Sequence, residues 1–122
     1  MQKVSGIGGF FFRSQDPDGL ARWYADNLGV ALVPQDYETT PWMTEAGVTV
    51  FAPFPQTTAM FGDEAKQWMI NFRVGDLDAM AAQLRSAGTD VEIDPELYPN
   101  GRFATCKDPE GNPIQLWQPI DP

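Results

Sequence analysis

No histidine occurs anywhere in the 122 residues, and that absence excludes more than any residue present implies. Histidine is the commonest metal ligand and the usual acid or base near neutral pH, so a histidine triad and a histidine-ligated zinc site are both ruled out. Cysteine is nearly missing too. The single Cys106 leaves no internal disulfide and suits a reducing cytoplasm, the compartment expected for this chain. Basic residues are scarce, 8 against 17 acidic ones, for a net charge of −9. Nucleic-acid binders carry basic patches, so nucleic acid is not an expected partner. No apolar run approaches the roughly 18 residues a membrane span needs, and the opening Met1-Gln2-Lys3-Val4-Ser5-Gly6 lacks the apolar stretch of a secretion signal. A membrane is therefore not an expected partner either. The surplus acid has two readings, solubility or attraction of a cationic ligand.

What is present has the balance of an ordinary globular protein, 43% hydrophobic and 20% charged, long enough to bury a core as one domain over residues 1–122. The first predicted strand, 4–13, contains three consecutive phenylalanines, Phe10, Phe11 and Phe12. Asp16-Pro17-Asp18 is a helix start, with Asp16 as cap and Pro17 at the first helical position. The predicted helix carries Leu20, Trp23, Tyr24 and Leu28 at spacings of three and four and ends at Gly29. Strands are predicted at 30–33 and 45–52, and a Pro-containing connector runs from Pro53 to Lys66. Then the pattern restarts: a strand over 68–74, a helix capped by Asp76 and ended by Gly88, and strands at 91–93, 102–106 and 114–117. Asp16 and Asp76 stand sixty residues apart, Gly29 and Gly88 fifty-nine. The chain is an internal repeat, and each half is too small to keep a core of its own.

Alternation within the strands assigns two faces. Phe10, Phe12, Ile70 and Phe72 should pack on the helices. Phe11, Arg13, Thr49, Phe51, Met69, Asn71, Arg73, Gln115 and Trp117 should line a concave wall. Phe11, Phe51 and Met69 also suit the middle of a small barrel, but the accompanying arginines and amides need water or a ligand. The loop before the penultimate strand, with Pro95, Tyr98, Pro99, Asn100, Gly101 and Arg102, is placed to close over that wall. Glu45 suits the rim or a solvated strand end. Cys106 reads as a small buried side chain, and the glycines at 6, 8 and 9 precede a strand and not a helix, so they are no phosphate loop.

Three stretches carry a family resemblance. Residues 16–30, with Trp23-Tyr24 and the ending Leu28-Gly29, 76–88, and Asp108-Pro109-Glu110-Gly111-Asn112-Pro113-Ile114-Gln115-Leu116 together resemble the vicinal oxygen chelate superfamily of glyoxalases, bleomycin-resistance proteins and extradiol dioxygenases. The resemblance implies an α+β fold in which two βαβββ modules, about 1–60 and 65–122, form a U-shaped mixed sheet around a cleft. It also implies four metal-ligand positions, one from the first and one from the last strand of each module. Here these are Gly9, Thr49, Met69 and Gln115, none of them an imidazole or a carboxylate, whereas a hard divalent cation needs such donors. The expectation is therefore no metal and no other cofactor, with a small molecule held by Phe11, Thr49, Phe51, Met69, Asn71, Arg73, Tyr98, Arg102, Gln115 and Trp117. The alternative is a lyase or dioxygenase-type enzyme of the same superfamily with a degenerate metal site, for which no catalytic residue can be named. Trp42, Phe54 and Phe61 outside the expected core suggest a homodimer, with the cleft either within one chain or between two.

Overall fold

A computed structural model describes residues 1–120. Helix α1 runs Pro17–Leu28 and helix α2 Leu77–Ser86; the strands are β1 Ile70–Arg73, β2 Glu92–Ile93, β3 Gly101–Lys107 and β4 Pro113–Pro119. Both helices start as the sequence implies. The Asp16 carboxylate accepts the Gly19 N–H at 3.1 Å and the Asp76 carboxylate accepts the Ala79 N–H at 3.0 Å, each satisfying a donor the helix leaves unpaired. Gly29 closes α1 in the left-handed region at φ 71°, where a residue without Cβ is favoured.

The sheet is mixed and open, in the order β1-β4-β3-β2. β4 lies at its centre, parallel to β1 and antiparallel to β3. Register fixes the faces. Ile70 lies opposite Ile114, which lies opposite Cys106, and Phe72 opposite Leu116, opposite Ala104. This aliphatic side meets Leu77, Ala81 and Leu84 of α2 and Leu20 and Tyr24 of α1 in one buried cluster. The alternation predicted for residues 68–74 and 114–117 is the one observed.

The first half departs from expectation. Helix α1 forms, but 4–13, 30–33 and 45–52 form no strand among the described residues. A strand exists through its ladder, not through its alternation alone. Glycines at 6, 8 and 9 and prolines at 34, 41, 53 and 55 interrupt these runs. The helix that would back them is already spent, since α1 buries its apolar stripe on the second-half sheet. Phe10 and Phe12, expected against the helices, instead pack on Trp68 with ring centroids 4.9 and 5.0 Å away.

The turn 108–112 joins α1 to the sheet. Asp108 is 4% exposed, and its carboxylate accepts the Tyr24 hydroxyl at 2.6 Å, the backbone N–H groups of Glu110 and Asn112 at 2.9 and 3.0 Å, and the Asn112 amide at 2.8 Å. Four donors around one buried carboxylate offset the cost of removing it from water. Gly111 takes the turn at φ 80°. Glu110 points the other way and accepts from the Ser14 hydroxyl at 2.6 Å and the Gln15 N–H at 2.9 Å, which pins the chain as it enters α1.

Candidate functional site

The sheet face turned away from the helices carries two rows of side chains. Register sets Arg73 beside Trp117 and Trp117 beside Phe103, and in the next row Asn71 beside Gln115, Gln115 beside Thr105 and Thr105 beside Glu92. The first row is aromatic with a cation at one end, and the second is polar. The Phe103 and Trp117 rings are parallel to within 2° at 6.1 Å between centroids, and Tyr98 meets Phe103 edge-on at 5.8 Å. Asn71 Nδ2 donates to Gln115 Oε1 at 2.7 Å, which fixes the outward groups as the Asn71 carbonyl and the Gln115 amide N–H₂. The face thus offers an acceptor and a donor side by side, next to flat rings.

Trp117 is held rather than free. It is 8% exposed, and its Nε1 donates to the Asn100 carbonyl at 2.8 Å. Gly101 makes that approach possible: its φ is 130°, and a Cβ there would collide with the Gln118 carbonyl and lie 2.9 Å from Trp117 Nε1. The loop 94–101 is itself braced, because the Tyr98 hydroxyl donates to Asp94 at 2.8 Å. That bond pushes the Tyr98 hydroxyl up to about 12, so it stays protonated near neutrality.

The residues expected at the wall divide into three groups. Met69, Asn71, Arg73, Gln115 and Trp117 share the parity of the open face, with Tyr98 at its margin. Phe11, Thr49 and Phe51 do not join them: Phe11 is 93% and Phe51 89% exposed, and Thr49 is exposed. Arg102 does not reach the face at all. It sits one residue out of phase with Phe103, on the helix side, where its guanidinium pairs with Asp78 of α2 at 2.9 and 3.0 Å and holds that carboxyl below the usual range. Arg73 Nη2 donates to the Glu45 carbonyl at 2.9 Å, so Glu45 contributes backbone and not charge. Phe103 and Thr105 were missing from the expected wall, although carrying the strand alternation from Trp117 and Gln115 to their neighbours in 101–107 would have found them.

Two surface depressions lie elsewhere, near the α1 N-terminus. One of about 300 Å³ is lined by Leu20, Trp23 and Pro109, and one of about 540 Å³ by Arg13, Lys66, Glu110 and Asn112. Two of their charged groups, Glu110 and Lys66, already have partners. Glu110 is engaged as described, and Lys66 Nζ donates to the Glu110 carbonyl at 3.4 Å and to Asn112 Oδ1 at 3.2 Å. The open face, with unshared donors and acceptors beside aromatic rings, is the better candidate on chemical grounds.

The donor set does not fit the divalent metal of the superfamily. Gln115 Oε1 is committed to Asn71, Met69 offers a thioether, Thr49 a hydroxyl and Gly9 nothing, and no group of three His, Cys, Asp or Glu side chains gathers among the described residues. Cys106 is no nucleophile at neutral pH, because burial pushes its thiol up to about 11 and no imidazole exists to activate it.

The glyoxalase-like domain family matches residues 9–117. The fold resembles TnmS3, an antibiotic binding protein from Streptomyces sp. CB03234, with 23% identity over 98% of this chain and 100% of that one and a TM-score of 0.68. A glyoxalase/bleomycin resistance protein from the same Streptomyces is 24% identical over 85% of this chain and 92% of its own, with a TM-score of 0.55. A glyoxylase/bleomycin resistance protein/dioxygenase domain from Frankia sp. EAN1pec is 20% identical over 97% of this chain and all of its own, at 0.62. No curated protein matches the chain. With the family match spanning residues 9–117, this chain belongs to the glyoxalase-like family of the vicinal oxygen chelate superfamily.

Proposed function

We propose that this protein binds a flat small molecule without a metal, in the manner of the bleomycin-resistance branch, and does so in the cytoplasm as a homodimer. One observation carries the reading: parallel Phe103 and Trp117 rings lie beside the hydrogen-bonded Asn71–Gln115 pair on an open sheet face. Rings of that kind take a planar ligand by stacking. The outward Asn71 carbonyl and Gln115 amide fix its orientation, and the Arg73 guanidinium at the end of the aromatic row suits a carbonyl or carboxylate on its edge. The antibiotic binding protein TnmS3 shares the fold, which supports small-molecule capture over turnover. The open face presents amides, a hydroxyl and a guanidinium beside its rings, with the Glu92 carboxylate at the far end of the polar row.

Asn71 is exposed, so Asn71→Ala should leave the fold intact while removing one half of the polar pair. Calorimetric titration of planar aromatic compounds, antibiotics among them, into both proteins tests the assignment. A ligand of the wild type should bind Asn71→Ala about tenfold more weakly, the net worth of one hydrogen bond, about 1.4 kcal/mol. Equal affinity for both proteins would remove the ligand from this face.

A further inference from the structure

Basic residues number 8 in this chain against 17 acidic ones, yet two of them, Arg13 and Lys66, meet across the hollow of about 540 Å³ beside the start of α1. Three segments far apart in sequence build that hollow: the chain entering α1, the end of the 53–66 connector and the 108–112 turn. None of its lining residues belongs to the open sheet face. The turn gives it a firm wall, because four donors close around the buried Asp108 carboxylate behind it.

Neither cation is neutralised by a direct ion pair. The one ion pair among the described residues joins Arg102 to Asp78, so no carboxylate stands within pairing distance of Arg13 or Lys66. Lys66 is half-buried, and its Nζ donates at 3.4 and 3.2 Å to two neutral oxygens, the Glu110 carbonyl and Asn112 Oδ1. An ammonium carries three donors, so a third stays unshared and the charge is met only by dipoles. Glu110 shows what this corner of the molecule accepts. Its carboxylate takes the Ser14 hydroxyl and the Gln15 and Asp16 N–H groups at 2.6, 2.9 and 3.3 Å, the usual seat of an anion at a helix start. That leaves the two cations on the open side of the hollow without an anion of their own.

We infer that this hollow is a second binding site, separate from the open face, and that it takes a small monocarboxylate between Arg13 and Lys66. Charge selects the class. Two cations beside the Glu110 carboxylate leave one positive charge, which a monocarboxylate neutralises, whereas a phosphate dianion would set surplus negative charge against Glu110. Geometry agrees with charge. The Arg13 guanidinium is a planar fork that matches the two oxygens of a carboxylate, and Lys66 adds a point charge from the inner wall. The volume lies in the range of small-molecule sites, so the acid has room for a short organic body against Pro109. The inference stands on this hollow alone and does not depend on what the open face binds.

The test titrates sodium butyrate into the full-length, isotope-labelled protein at low salt and neutral pH, following backbone amides by NMR. Butyrate has no ring, so it does not probe stacking on the open face. The amides of Ser14, Gln15, Lys66 and Asn112 should shift together and saturate, with a Kd of about 1–10 mM, the range open to a ligand of this size. Butyramide, which has the same shape and no charge, should leave them in place, and inorganic phosphate should bind more weakly than butyrate. Arg13 is exposed, so Arg13→Gln should keep the fold and weaken butyrate about fivefold or more, the worth of a lost charge-assisted hydrogen bond. Lys66→Gln should do the same, and the double variant should show no saturation. The inference fails if no saturation develops by about 50 mM, if butyramide shifts the same amides equally, or if phosphate binds more tightly than butyrate. It fails equally if Arg13→Gln binds butyrate as the wild type does, or if the shifts gather at Asn71, Arg73 and Trp117 instead.

Discussion

Removing one oxygen atom from Tyr24 tests what joins the first helix to the rest of the protein. The Tyr24 hydroxyl is the one partner that α1 gives to the buried Asp108 carboxylate, at 2.6 Å; the other three donors come from the 108–112 turn itself. Tyr24→Phe keeps the ring and its edge-on contacts with Trp23 and Phe72, at 5.1 and 6.3 Å, and deletes only the bond. A hydrogen bond to an ionised group is worth about 1.5–3 kcal/mol, and the carboxylate, with three donors left, stays partly satisfied. The expected loss is therefore about 1.5–2 kcal/mol, a fall in Tm of several degrees for a domain of this size. Urea unfolding followed by circular dichroism, with the slope unchanged, measures it. The Tyr24 hydroxyl itself is shifted well upward, chiefly by burial and then by its bond to Asp108, so it remains a donor throughout the working pH range. A loss below about 0.5 kcal/mol would refute the reasoning, because α1 would then be held by packing alone.

Glu110 is held below its ordinary value by the Ser14 hydroxyl and then by the Gln15 N–H, so its contribution is present above the unfolded value of about 4.5 and lost as pH falls through the lower folded value; Glu110→Gln should flatten that part of the acid-unfolding curve. Cys106, buried with its thiol pushed up to about 11, should resist a thiol reagent at pH 8 in native protein and react fully in urea. Purified protein dialysed under mild conditions should carry well below one equivalent of zinc, nickel, manganese or iron by elemental analysis, and one equivalent would show that the donor set was misjudged. Phe103→Ala should weaken any planar ligand of the wild type about as much as a lost stacking contact, roughly 0.5–1.5 kcal/mol, with unchanged affinity counting against the aromatic row.

The second half of the fold was legible because local signals agree there. Asp76 caps, Gly88 ends the helix region, and the alternation of 70–73 and 113–118 is uninterrupted, so each residue's face followed from counting. Arg102 shows the limit of that counting: it stands where the expected loop meets the expected strand 102–106, and with the strand beginning at Gly101 its parity turns it toward α2. Asp108 shows a different limit. Its turn chemistry was plain, yet its bond to Tyr24 spans eighty-four residues, and no local pattern encodes a contact at that separation. In the first half 4–13, 30–33 and 45–52 join no ladder among the described residues, because alternation reports a preference for a pleated surface, not the presence of a neighbour to pair with.

The central place of β4 also orders events during synthesis. β1 and β3 touch only through it, the one parallel and the other antiparallel, so no ladder joins the two until residues 113–119 have left the ribosome. At about 5–20 residues per second, the helices wait for several seconds without the strand that seats them. The nascent chain must pass through that interval with Leu20, Leu77 and Leu84 of the helices lacking the Ile114 and Leu116 side chains that share their buried cluster.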